Sequence, residues 1–318
     1  MRTKFRLSFF WKVIWSITLA LAFLGLLLWL VGSVFGGNQA ALSLCRNIPE
    51  TLGGSGSWEI GKGSMKCDWD IDRGFPVISG RSYENMDIAQ TDQVERILVE
   101  AGGCEFKIET TDSDSYGITT TEILDELQCY EQDGTLYVKC GPRAWHEISR
   151  DRIDRITLYV PRDVNLRKME MELGAGNFTA DCISAEELVI ASGASNVSIG
   201  SLTAEQVSLE IGAGNTTIRD AQIGELSAEV GAGNFSLQGS IDGDVDVNAG
   251  MGTVYLNLAG KESDYNYDTD CALGSIHIGT EGSMGVFAEG RTINDGAVKE
   301  MALDCALGEI QVIFDLKE

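Results

Sequence analysis

Between residues 173 and 253 one short pattern returns at a fixed interval. Leu173-Gly-Ala-Gly-Asn177 is followed by Ser192-Gly-Ala-Ser-Asn196, Ile211-Gly-Ala-Gly-Asn215, Val230-Gly-Ala-Gly-Asn234 and Ala249-Gly-Met-Gly-Thr253, each ending 19 residues after the one before. A strict period of this kind signals a repeat architecture in which each unit buries its apolar face only against its neighbours. Aligned by the period, Met169, Leu188, Val207, Leu226 and Val245 form one apolar column, and Met171, Ile190, Leu209, Ala228 and Val247 a second. After the turn, Phe178, Val197, Thr216, Phe235 and Val254 form a third, and Ala180, Ile199, Ile218, Leu237 and Leu256 a fourth. Within each unit the columns alternate with polar residues, the period-two pattern of a strand with one buried face. Each unit therefore supplies two short strands joined by the Gly-Asn turn. Equivalent strands stack in parallel, which predicts an all-β chain: a parallel β-solenoid, or β-helix, of 19-residue coils.

The turn itself is expected to exploit glycine at positive φ and the tolerance of asparagine for the left-handed region. Asn177, Asn196, Asn215 and Asn234 would then lie one strand spacing apart, about 4.8 Å, and form a structural ladder of side-chain amides. The same four residues match N-x-[ST] through Thr179, Ser198, Thr217 and Ser236, but an amide engaged in a ladder is a poor glycosylation acceptor. The Gly-rich turn also invites comparison with calcium-binding nonapeptide repeats, which its period and its lack of aspartate disfavour.

Outward columns are acidic. Glu172, Ala191, Glu210, Glu229 and Asn248 align, as do Glu187, Gln206, Glu225 and Asp244. Stacked carboxylates repel one another. Either solvent screens them on an acidic face or a divalent cation such as calcium relieves the repulsion.

The amino-terminal end reads as a membrane anchor. Arg2, Lys4, Arg6 and Lys12 precede an apolar run from Ile14 to Phe35 with no charge. Twenty-two helical residues span about 33 Å, close to the thickness of a bilayer core. Trp11, Trp15 and Trp29 lie towards its ends, where amphipathic rings favour the headgroups. The run is long for a cleaved signal peptide and no clean A-x-A site follows it. All the acidic residues lie beyond residue 35, so the positive-inside rule places the tail in the cytoplasm and the remainder outside the cell membrane. The predicted organisation is a cytoplasmic basic tail (1–13), a transmembrane signal anchor (14–35), an extracytoplasmic spacer with weak strands (36–93), an N-terminal β region leading into the repeat (94–165) and the β-solenoid (166–318).

A formal net charge of −24 excludes nucleic acid as a natural partner, because phosphate binding needs clustered Lys and Arg. His146 and His277 are the only histidines, too few for histidine-based metal or triad chemistry. Asp68, Asp70 and Asp72 alternate as in a calcium loop, but Gly74 falls one place late and no closing Glu follows. In the 94–165 region, Asp133-Gly134 sits between two alternating segments and predicts a tight hairpin turn. The eight cysteines show no CxxC or zinc spacing. Cys271-Ala-Leu-Gly and Cys305-Ala-Leu-Gly occur in two similar segments, DCALGSIHI and DCALGEIQV, that read as equivalent strands of neighbouring coils. In register, Cys271 and Cys305 would form either a disulfide or a pair of small core residues.

ITLYVPRDVNLRKMEMELGAGNFTA, the later Gly-Ala-Gly-Asn coils and NDGAVKEMALDCALGEIQVIF resemble the bacterial putative-adhesin domain-of-unknown-function family. EFKIETTDSDSYGI and QDGTLYVK fit its opening region, so the resemblance covers roughly residues 94–318. It implies a membrane-tethered extracytoplasmic β-solenoid of the Gram-positive type, with no catalytic residues and no cofactor. The expected function is non-enzymatic: an anchored cell-envelope protein presenting a rigid surface for adhesion or scaffolding to a protein or glycan ligand. The alternative is envelope-stress sensing through a membrane partner.

Overall fold

Alternation of apolar and polar residues runs almost unbroken through the chain's longest strand, and its large apolar side chains, Val189 apart, turn inward. In the computed structural model, residues 77–78, 83–121, 127–140, 155–279, 283–285, 288–293 and 296–316 are described, all within the compact unit Ser55–Glu318. The basic tail, the apolar run 14–35, Cys45, Cys67 and Asp68, Asp70 and Asp72 lie outside the described residues. Among the described residues no helix is long and apolar enough to cross a membrane.

The architecture is an all-β solenoid. β9 (Leu166–Ile211) winds around the axis without losing its backbone pairing, and β10 (Asn215–Val230) continues it. β10 pairs in parallel with β9, Asn215 against Asn196, Ile218 against Ile199, Leu226 against Val207 and Val230 against Ile211. On its other side lie β11 (Asn234–Ile241) and β12 (Val245–Ala249), with Thr216 against Phe235 and Ala228 against Val247. β13 (Thr253–Ala259) follows against β11, Phe235 facing Val254 and Leu237 facing Leu256. All four apolar columns are buried: Leu188, Ala228, Val247, Ile199 and Leu237 are fully enclosed. Each rung also has a third, shorter side that alternation in two strands does not reveal. After Ile218 the chain bends at Arg219-Asp220, where Asp220 takes φ 47°, and Ala221 and Ile223 then pair with Leu202 and Ala204.

The region 94–165 supplies rungs of this same stack. β3 (Arg96–Ala101) pairs in register with β9 on the first face, Ile97 against Met169 and Ala101 against Leu173. β4 (Glu105–Thr111) does so on the second face, with Phe106 against Phe178, their rings stacked at 5.8 Å. Outside this rung lie β7 (Thr135–Cys140) against β3 and β8 (Arg155–Pro161) against β4. The opposite end repeats the device. β14 (Tyr265–Cys271) and β15 (Ser275–Ile278) form the outermost rung. β18 (Lys299–Cys305) and β19 (Glu309–Leu316), last in the chain, insert between that rung and β12–β13. At both ends the outermost rung is thus the middle one in sequence; the rung inside it is the earlier β3–β4 at one end and the later β18–β19 at the other.

Parallel edges left open would recruit other chains. Each is covered by an antiparallel strand. β6 (Leu127–Gln132) covers β7 through the Asp133-Gly134 turn, whose φ values of 50° and 76° are those of the expected tight hairpin. β5 (Ser115–Thr121) covers β8 and is covered in turn by β2 (Tyr83–Gln90), while β1 (Val77–Ile78) flanks β6. At the far end β16 (Ser283–Gly285) covers β15 and β17 (Ala288–Ile293) covers β14.

Glycine in the repeated turn has a different cause from the one expected. Of the glycines in those motifs only Gly176 has positive φ, and none of the four ladder asparagines does. The constraint is close approach between stacked turns: a Cβ built on Gly214 would lie 1.7 Å from the Ser195 carbonyl oxygen. Gly214→Ala is expected to force the rungs apart and destabilise the fold by about 1–3 kcal/mol, as overpacking does. Gly103→Ala, where a Cβ meets nothing within 4 Å, is expected to stay within about 0.5 kcal/mol of the parent; urea unfolding of the two variants makes the comparison.

Candidate functional site

The turn after the first face carries the asparagine ladder. Asn196 Nδ2 donates to Asn177 Oδ1 at 3.2 Å, Asn215 Nδ2 to Asn196 Oδ1 at 2.9 Å and Asn234 Nδ2 to Asn215 Oδ1 at 2.8 Å. All four side chains are exposed, so the ladder orders a surface edge rather than the core. Each inner amide, Asn196 and Asn215, uses one donor and one acceptor within the ladder. In the turn 192–196, Ser192 and Ser195 stand where the neighbouring turns have an apolar residue and glycine, and they satisfy each other in the interior, oxygen to oxygen at 2.6 Å.

The outward side of the first face is acidic. Glu229 lies in register between Glu210 and Asn248, and the row continues through Asp304 to Asp270. Ion pairs stand along the amino-terminal rungs. There Lys139 stands 3.4 Å from Glu100 and Lys168 3.1 Å from Glu187, while Arg155 bonds Glu105 at 2.6 Å on the second face. Beyond Glu187 the sequence holds only Arg219, Lys261, Arg291, Lys299 and Lys317 as basic residues. Lys299 there turns to the Ile241 carbonyl at 2.8 Å and covers the Tyr265 ring. The carboxyl of Glu210 is raised above its ordinary range, first by partial desolvation between the rungs and then by the Glu229 charge. No group of three or more His, Cys, Asp or Glu side chains converges among the described residues, so the acidic columns form no cation cage there.

Cys271 and Cys305 are brought together. They face each other in register on β14 and β18, buried, and both are free thiols. In place of a disulfide the two thiols share a side-chain hydrogen bond. Neighbouring parallel strands hold like-directed Cβ atoms about 4.8 Å apart, wider than the roughly 3.5–4.5 Å a disulfide requires. The Gly274 N–H lies against the Cys271 sulfur and that of Gly308 against the Cys305 sulfur, while the Ser275 N–H donates to the Gly308 carbonyl at 3.1 Å. Burial pushes the Cys305 thiol up to about 11.

These thiols occupy a position that the repeat itself defines. Cys305 pairs with Ala249, which pairs with Val230, so Cys-Ala-Leu-Gly is a diverged copy of the Gly-Ala-Gly turn. Ala101-Gly-Gly-Cys-Glu105 is another, with Ala101 opposite Leu173 and Glu105 opposite Asn177. Sequence reasoning missed both equivalences, although the spacing from the apolar residue to the end of the turn would have disclosed them. It also missed a consequence at the turn apex. The exposed alanines of the central rungs give way to Met251, then Leu307 and Leu273, joined by the bonds Met251 N–H to the Gly231 carbonyl, Leu307 N–H to that of Gly250 and Leu273 N–H to that of Ala306. Leu307 and Leu273 are 41% and 53% exposed, a short apolar ridge beside the thiols.

The family model described as Toastrack DUF4097 matches residues 117–301, more than half of the chain. The chain belongs to this family. In this Toastrack chain the match ends at β18 and leaves out β3 and β4, which the structure places in the same stack. No curated protein matches the chain. Among crystal structures it is similar to a "putative lipid binding protein" from Parabacteroides distasonis ATCC 8503, at 15% identity and TM-score 0.42, covering 73% of this chain and 97% of that one. It is also similar to a "putative adhesin" from Bacteroides fragilis NCTC 9343, at 11% identity and TM-score 0.39, covering 76% and 98%. A "putative cell adhesion protein" from Clostridium sporogenes ATCC 15579 is similar at 11% identity and TM-score 0.30, covering 74% and 100%.

Two outcomes test this geometry. Asn215→Ala removes two ladder bonds and is expected to cost about 1 kcal/mol, the low end for two net hydrogen bonds because the site is wet; thermal unfolding beside Thr217→Ala supplies the measure. For Glu210, a carboxyl raised in the folded state binds its proton more readily there than in the unfolded chain. Stability therefore falls as pH rises from the ordinary carboxylate range through the raised one. Glu210→Gln is expected to raise Tm at pH 7 and to lose that advantage at pH 3, read from melts at the two pH values.

Proposed function

We propose that this Toastrack protein is a non-enzymatic, membrane-anchored component of the cell envelope whose solenoid flank is an adhesive or scaffolding surface for a protein or glycan ligand. The observation that carries this reading is the closure of both ends. Antiparallel strands cover the outermost rungs at either end, which disfavours end-to-end growth and leaves the long flanks as the surface on offer. A flank repeats the same side chains at each rung, so a repetitive or extended ligand would find equivalent contacts side by side. The acidic rows keep that flank hydrated and hold it off anionic lipid.

In this reading residues 14–35 span the membrane, the basic tail stays in the cytoplasm and the solenoid stands outside. Burial supports a non-enzymatic role, since it keeps the Cys129 and Cys305 thiols protonated and thiolate, not thiol, is the nucleophile. Cys182 offers a direct test because it is the exposed thiol of the described residues. A membrane-impermeant maleimide applied to intact cells is expected to modify the peptide containing Cys182, and Cys182→Ser to abolish that modification. Labelling of Cys182 that appears only after lysis would refute the orientation.

A further inference from the structure

We infer that Cys271 and Cys305 form a two-coordinate thiolate site for a soft monovalent metal ion of the Cu(I) type. The argument starts from register. β14 and β18 set the two sulfurs opposite each other, and the strand spacing that is too wide for a disulfide suits an ion between them. A metal–thiolate bond is about 2.3 Å, so a linear sulfur–metal–sulfur unit spans about 4.6 Å, close to the spacing of about 4.8 Å between neighbouring strands. Thiolate donors select Cu(I) over harder ions, and among the described residues no third metal-binding side chain of the His, Cys, Asp or Glu type joins the pair, which fits an ion content with two ligands.

The surroundings are built for sulfur. The N–H groups of Gly274 and Gly308 lie against the two sulfur atoms, the outer-shell donors that a metal-bound thiolate needs. Gly274 is glycine because the space of its side chain is filled: a Cβ there would lie 2.4 Å from Cys305 Sγ. On loading, two S–H bonds break, two sulfur–metal bonds form and two protons pass to solvent. No electron moves, the ion remains monovalent, and the net charge of −1 left on the site is shared with the Gly274 and Gly308 N–H groups. The turn apex beside the pair is exposed at Ala272 and Leu273, which gives an ion a short path in.

The repeat supplies a variant that should preserve the fold. Ala249 and Ala101 occupy the same register column as the two cysteines, so Cys271→Ala and Cys305→Ala place in each rung a residue the column already accepts. The reduced full chain in detergent is loaded with Cu(I) in competition with bicinchoninate. Loss of an outer-shell partner alone costs 10–100-fold, so loss of a ligand is expected to weaken retention by at least about 100-fold in either variant, with Cys182→Ala unchanged. Retention at the parent level in Cys271→Ala or Cys305→Ala overturns the proposal, as does an equal loss in Cys182→Ala. Since a misfolded variant would mimic the expected loss, Cu K-edge absorption of the parent protein is the independent readout. Two sulfur neighbours and no nitrogen or oxygen support the site; any other shell overturns it. A Cys271–Cys305 disulfide found by mass mapping of alkylation-quenched protein from cells would also overturn it.

Discussion

Stacking in register at one strand spacing is the interaction on which everything else in this protein depends. A single rung buries too few side chains to offset the entropy of ordering its own backbone, so each rung is stable only as a surface for the next. Parallel pairing places Leu226 on Val207 and Asn215 on Asn196, and once one pair is fixed every other column follows, because a slip of one residue would turn every apolar side chain outward. The same constraint sets the composition of the turn. Backbones of successive turns come so close that a side chain at Gly214 has no room, while polar side chains just beyond it can bond along the axis.

A structure built in this way is vulnerable at its ends, and the chain's path answers that. The rung next to each end is held between two others: β3–β4 between β7–β8 and β9, and β18–β19 between β14–β15 and β12–β13. The last strands of the chain are therefore held between two ladders rather than hanging from one. Tyr265 and Tyr267 add to this at the far end, buried and anchored through their hydroxyls to the carbonyls of Ile241 and Glu262 at 2.9 Å. With the ends closed, chemistry can vary along the flanks without disturbing the core. That separation explains how ion-paired rungs near β3 and acidic rungs near β12 coexist in one stack.

Much of this was legible from residues alone where the repeat was strict. The four apolar columns and the amide ladder follow from periods of 19 and two, the hairpin from Asp133-Gly134, and the adjacency of Cys271 to Cys305 from the likeness of their two segments. Legibility failed where the repeat diverged or the pairing was non-local. Ala101-Gly-Gly-Cys104 and Cys271-Ala-Leu-Gly274 keep the geometry of the turn but not its letters. The third side of the rung was hidden because its runs are two or three residues long, too short for alternation to register. The glycine assignment erred because sequence reports what a residue permits in its own backbone, not what a neighbouring rung forbids.

The sequence by itself determined the secondary structure, the axis of repetition and which side chains face inward, because these depend on local alternation and a fixed period. Only the tertiary structure decided the order of the rungs, the closing of the ends and the insertion of β18 and β19 inside the outermost rung. Those features arise from strands far apart in the chain competing for the same open edges, and no local pattern records which strand wins.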